Sequence, residues 1–208
     1  MEPWIGQRNR ATLLEHFTNS SDLLSAHADS LLNALVTADS LNIVDLQFHT
    51  SFPGEDPFNE KEPYSPGIRV LYYGLSDVPV TLMNGGYKTG SRFDYVTTQL
   101  DTSGIRIESL QDSKFDINHK FTLEGTTLGI ETQIAAQQAL SAKELTVHVA
   151  VIEQEVEGFS GSNGETLFRS VVKTMLPDAV HISQKKKASP MISSPPLKAA
   201  RISRRKSD

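Results

Sequence analysis

The sequence predicts an α/β layered domain followed by antiparallel β structure and a disordered basic tail. Three observations lead there. Up to about residue 90, apolar runs of strand length alternate with helical stretches, which implies crossover connections. From about residue 100, polar and apolar residues alternate in runs separated by turn formers. Beyond residue 180 the chain becomes rich in Ser, Pro and Lys/Arg and has no aromatic side chain, too little apolar surface to order itself. The expected division is an N-terminal segment over residues 1–10, an α/β domain over 11–92, an incomplete antiparallel sandwich over 93–180 and the tail over 181–208.

Residues 11–17 form a short apolar run suited to a buried strand. Thr18 to Asp22 cluster helix N-cap residue types, and Leu23, Leu24, Ala28, Leu31, Leu32, Leu35 and Val36 then recur every three or four positions, one face of a helix. A second strand is expected over residues 41–49, a long Pro- and Gly-bearing loop over 50–66 and a short helix over 67–75 ending at Gly74. Residues 78–83 make a third strand, and Asn84-Gly85-Gly86 turns the chain toward a hairpin partner. Further strands are expected over 104–109, 114–123, 127–136 and 144–156. Residues 165–176 fit either strand or helix. The four strands are too few to close a sandwich, so an exposed sheet edge and an uncovered apolar face are expected to favour self-association.

Composition bounds the chemistry. With 208 residues, 38% hydrophobic and 22% charged, the chain can build a core. It contains no cysteine, which excludes disulfides, thiolate metal sites and thiol–disulfide exchange. The net charge of −5 conceals an asymmetry. Residues 181–208 carry eight Lys/Arg against Asp208, a net +7, leaving −12 for the rest. An acidic body argues against specific nucleic-acid binding, while Lys185–Lys187 and Arg204–Lys206 suit contact with anionic surfaces. A change of coding frame near Val180 explains the same break in composition. Residues 1–10 lack the apolar stretch of a signal peptide, so a native start there implies a cytoplasmic chain.

Several stretches, in order, resemble the outer-membrane-protein-twenty-eight-related proteins of Gram-negative bacteria: Leu14-Glu-His-Phe-Thr-Asn19 before a helix, Phe48 to Pro57, Arg69 to Gly74, and Asp77 to Gly85. Val149 to Glu153 and Leu167 to Pro177 resemble the strands of the β-sandwich that follows in that family. The resemblance spans roughly residues 11–180 and implies a thioredoxin-like domain in a periplasmic or outer-membrane protein. Asp22 and Ser25 stand where such domains carry C-x-x-C, so the implied protein is redox-inactive and not an enzyme of that class. Asp22 suits the place as a helix cap. Val78-Pro79 stands where these folds carry a cis-proline beside a groove that pairs with extended peptides. The resemblance implies a scaffold or a protein- or peptide-binding module without a cofactor.

The alternative is a hydrolase or metal-binding protein using His16, His49 and Asp22, with Glu55 and Asp56 close behind His49. No H-x-x-x-H or H-E-x-x-H spacing supports a metal helix. Ser20-Ser21 and Ser160-Gly-Ser162 lack the strand–turn–helix context of a nucleophile elbow. The Asp56 to Glu62 spacing does not match a calcium loop, and Gly158, Gly161 and Gly164 do not match a phosphate loop.

Overall fold

The computed structural model describes residues 10–38, 41–137 and 146–176, and the backbone of residues 192–193 and 200–201. It divides into two compact units. The larger comprises Asn9–Gln111 and Thr146–His181, and the smaller takes Asp112–Leu145 with the two chain ends.

The larger unit is a six-stranded sheet with helices on both faces. Strand β1 (Thr12–Thr18) pairs in parallel with β2 (Ile43–His49), the crossover being helix α1 (Leu23–Thr37). Two short helices follow, α2 (Pro57–Lys61) and α3 (Tyr64–Tyr73), so the later part of the segment expected to be a loop to Pro66, from Pro57 on, is largely helical. Asp56 starts α2 by accepting the N–H groups of Phe58 and Asn59, with Pro57 at the first helical position. Gly74 closes α3 at φ 61°, a left-handed conformation in which a side chain would be strained. Strand β3 (Val80–Met83) then runs antiparallel to β1. Asn84, Gly85 and Gly86 all adopt positive φ and turn the chain toward β4 (Arg92–Phe93).

Two expectations for the second half are corrected. Residues 104–109 are not a strand: Thr102–Ser109 is helix α4, capped by the Asp101 carboxylate on the N–H groups of Ser103 and Gly104. The 93–180 stretch is not one antiparallel array either. Strands β5 (Phe115–Glu124) and β6 (Thr127–Ala136) form a ten-pair hairpin in the smaller unit. Strands β7 (Val149–Val156) and β8 (Phe168–Leu176) join the large sheet instead, in the order β4-β3-β1-β2-β8-β7. There β8 lies parallel to β2, with Gln47 opposite Val171. Residues 165–176, open between helix and strand in the sequence, thus supply a central strand. The tail, expected to supply none, sets β9 (Ile192–Ser193) and β10 (Ala200–Arg201) against β6. The remainder of the disordered-tail expectation lies outside the described residues.

The core is split by the large sheet. Leu14, Ala28, Leu32, Met83, Phe93, Tyr95 and Ile105 pack on the face covered by α1 and α4. Phe17, Phe48, Leu75, Val80, Leu82, Val172 and Met175 pack on the opposite face, with Val70 and Tyr73 of α3. Because side chains alternate along a strand, β1 feeds both cores, Leu14 to one and Phe17 to the other.

Candidate functional site

The turn into α1 carries the two positions singled out by the sequence. Asp22 accepts the Ser25 N–H at 2.7 Å, which places its carboxylate over the positive end of the helix. Ser25 is buried, and its hydroxyl accepts the Asn19 N–H. Asn19 fixes the turn from the other side. Its amide donates to the carbonyls of Thr50 and Gly54, 2.9 Å each, and its oxygen accepts the Ser21 N–H.

A loop from late in the chain closes over this turn. The Asn163 N–H donates to the Ser20 carbonyl at 3.2 Å, and the Asn163 side-chain amide donates to the Asp22 carbonyl at 3.0 Å. Gly161 approaches so closely that a Cβ there would stand 2.7 Å from the Ser20 oxygen. Positions 22 and 25 therefore form a capped helix start under a strap, with carboxylate and hydroxyl spent on backbone N–H groups. Of the other pair singled out by the sequence, the Val78–Pro79 bond is cis, and Val78 packs with the cluster of Phe17 and Tyr73.

His16, His49 and Asp22 do not converge; each has its own partner. His49 Nδ1 meets Asp56 Oδ2 at 2.9 Å, and its ring packs against Phe58 and Phe168. Asp56 also accepts the Ser20 N–H at 2.7 Å, which ties α2 to the turn before α1. Burial pushes the Asp56 carboxyl up, but the bond and charge of His49 and the N–H groups of Ser20 and Asn59 outweigh it and hold the group below its usual range. His49 Nε2 is buried with no polar partner, so this pair presents no base to a substrate.

His16 sits in a network that the sequence did not reveal. Its Nε2 bonds Asp29 on α1, and its Nδ1 meets the Thr81 hydroxyl on β3 at 2.7 Å. Thr81 in turn meets the Tyr95 hydroxyl at 2.7 Å. With Tyr95 donating to Thr81 and Thr81 to Nδ1, His16 donates its Nε2–H to Asp29, and every member is satisfied. Thr18 gives Asp29 a second donor at 2.8 Å. Asp45 on β2 lies near this group. Burial pushes its carboxyl up to about 6, against the charge of His16 and hydrogen bonds from Gln47 and Ser170.

Glu165 completes the arrangement. Burial first, then the charge of Asp29, pushes its carboxyl up to about 9. Glu165 also lines a cavity of about 510 Å³ between α1 and the segment from Asn163 to Arg169, bordered by Ala26, Ser30 and Ala34. Asp29, Asp45, Thr81, Tyr95 and Glu165 were thus all missed, along with the strap residues Gly161 and Asn163. The available signal was polar residues set inside the apolar periodicity of α1 and β2.

No protein-family model matches the chain, and no curated protein sequence does. Among solved structures it is similar to HBP35 of Porphyromonas gingivalis, at 14% identity and a TM-score of 0.67 over 89% of this chain and 63% of that one. The chain therefore spans less than two thirds of that protein. It is also similar to a crystal structure of a protein from Agrobacterium tumefaciens, at 16% identity and a TM-score of 0.50, covering 92% of this chain and 78% of the other. At these identities the likeness is one of fold, a mixed α/β architecture.

Proposed function

We propose that this chain is a redox-inactive, thioredoxin-like module of the Gram-negative cell envelope that works as a scaffold or as a binding surface for a protein or extended peptide. The observation that supports the reading is the start of α1, where Asp22 and Ser25, at the positions the resemblance assigns to a redox pair, form a helix cap. A strand–helix–strand crossover, a following antiparallel strand and helices on both sheet faces are the frame this reading needs. Without cysteine, thiol–disulfide exchange has no nucleophile. Self-association through the apolar face of the hairpin, and contact of the basic tail with anionic surfaces, belong to the same proposal.

The hydrolase or metal-binding alternative asks a substrate or ion to reach His16 and His49. Both rings are buried and engaged by carboxylates, and Asp22 lies with neither. The experiment is an amide-resolved NMR titration of the full chain with a pool of extended peptides. Shifts concentrated at Ser20–Ser25 and Val78–Val80 are expected. No shifts, or shifts confined elsewhere, overturn the binding reading.

A further inference from the structure

The two edges of the six-stranded sheet are unequal. At one end β4 is two residues long, too short to template another strand. At the other end β7 runs for eight residues, Val149–Val156, and pairs with β8 alone among the described residues. Its sequence holds none of the lysine or proline that commonly guards such an edge. The irregularity of the β7–β8 pair falls on β8, where Lys173 is the extra residue, so β7 keeps its alternation.

The two carboxylates of β7 are answered within the chain. Glu153 accepts Lys173 Nζ and Glu155 accepts Arg169 Nη2, each at 2.9 Å. The edge therefore presents little net charge to an incoming strand. On the other side of β7, Ala150 packs with the cluster of Phe17 and Phe48, and Val156 with that of Phe58 and Phe168. Alternation puts Ile152 on that side between them, yet it is 39% exposed.

We propose that β7 is a dimer interface, pairing antiparallel with β7 of a second copy so that Ile152 lies opposite the partner's Ile152. The two sheets then continue into one. This surface is not the hairpin side to which self-association is assigned above, and it does not depend on peptide binding.

The register follows from the strand itself. A two-fold axis normal to the sheet keeps each residue on its own side, so it passes through a residue rather than between two. Axes at Ile152 and at Glu153 alone keep seven of the eight residues of β7 opposite β7 of the copy. The axis at Glu153 sets that carboxylate against itself, and like charges directly opposite are unfavourable. The axis at Ile152 sets Glu153 opposite the partner's Val151 and Glu155 opposite the partner's Val149. No carboxylate then faces another, Lys173 and Arg169 keep their own partners, and Ile152 is covered by its copy. A second copy of this strand is thus an occupant that the edge fits without any change of charge.

The test exploits a chain that contains no cysteine, in which an introduced one is the only thiol. In the full chain, Ile152→Cys sets the two Cα atoms about 5 Å apart across the axis, within disulfide reach, and oxidation should give a covalent dimer. Gln154→Cys sets them about 14 Å apart along the strands and should stay uncross-linked. Adding Phe121→Lys and Leu123→Lys, which remove the apolar side of the hairpin, should leave the Ile152→Cys dimer intact. In that same background, Ile152→Lys should weaken association about tenfold in sedimentation, because two like charges meet at the axis.

Absence of a cross-link at 152, equal cross-linking at 154, or loss of the 152 dimer with the hairpin substitutions overturns the proposal. Should Ile152→Cys fail to fold, hydrogen exchange of the wild-type chain decides. The β7 amides that face away from β8 should exchange more slowly as protein concentration rises. Exchange that is fast at every concentration means an open edge without a partner, and exchange that is slow at every concentration means an edge covered within the chain. Either overturns the dimer.

Discussion

His16 of β1 and Asp29 of α1 meet where neither touches solvent, and their bond ties the central strand to the helix that crosses over it. The pair is the hinge of a chain from Tyr95 through Thr81 and His16 to Asp29, with Thr18 as the second donor. Removing one member strands the others in a buried layer. Asp29→Ala should lower unfolding stability by about 3–5 kcal/mol, because two buried groups, His16 and Thr18, lose their partner. Adding His16→Leu should recover part of that loss, since the orphaned imidazole goes too. Denaturant midpoints of the two variants decide it, and a loss below about 1 kcal/mol for Asp29→Ala would show that the network carries little.

Asp45 makes stability depend on pH in the direction opposite to most carboxylates. Its folded pKa is raised to about 6 from 3.8, so the folded state binds the proton more tightly than the unfolded one. Stability from this group is full below about pH 4, declines as pH rises toward 6 and stays reduced above. The shift corresponds to about 3 kcal/mol. Asp45→Asn removes the ionisation, so its stability relative to wild type should improve by up to that amount between acid and neutral pH. Thermal unfolding of both proteins across the window checks the sign. A relative stability that is flat or falls with pH would refute the assignment.

On the other sheet face, Glu15 is buried on β1 and answered by α3. Arg69 donates to Glu15 Oε1 through Nε at 2.9 Å and through Nη2, and the Tyr73 hydroxyl donates to Oε2 at 2.5 Å. The guanidinium also lies 5.1 Å from the Tyr73 ring centre. Arg69→Ala should cost about 3–5 kcal/mol by leaving a buried carboxylate short of its cation. Arg69→Lys should lose a good part of that too, because an ammonium cannot reproduce the forked contact or the stacking. Urea unfolding of the two variants, each against wild type, provides the measurement.

The sequence was readable where one face alone is apolar. The Leu23–Val36 periodicity located α1, the cap types before it placed Asp22, and Gly74 marked the end of α3. Helix α4 was misread because Ile105 and Ile107 two apart look like strand alternation, yet Ile105 is buried and Ile107 is 60% exposed. The usable signal was Asp101, whose carboxylate caps the helix. The buried network was hidden for a different reason. Asp29 lies on the buried arc of α1 beside Ala28 and Leu32, and Asp45, Gln47 and His49 fill one side of β2. Alternation marks such a side as solvent-facing unless another layer covers it. That covering depends on β8 and the Glu165 segment, more than a hundred residues later, and no local pattern announces it.

The hairpin of the smaller unit carries the last prediction. Its register sets Ile117 opposite Ile134, Phe121 opposite Ile130 and Leu123 opposite Leu128, so one side of both strands is apolar over most of its length. Ile130 is buried, but Phe121 is 61% and Leu123 73% exposed. Apolar surface of this kind binds dyes and other apolar surfaces because water is released from both. The chain should therefore bind anilinonaphthalene sulfonate and elute larger than a monomer at raised concentration. Phe121→Lys with Leu123→Lys should reduce both effects, while the unfolding free energy of the larger unit stays within about 0.5 kcal/mol because exposed side chains contribute little to the folded state. The hairpin should tolerate both changes, since each is on the open side of an edge strand, where lysine also discourages further strand pairing. A monomer that binds no dye before the substitutions would mean that the apolar side is covered within the chain. A variant that associates as strongly as wild type would place the contact elsewhere.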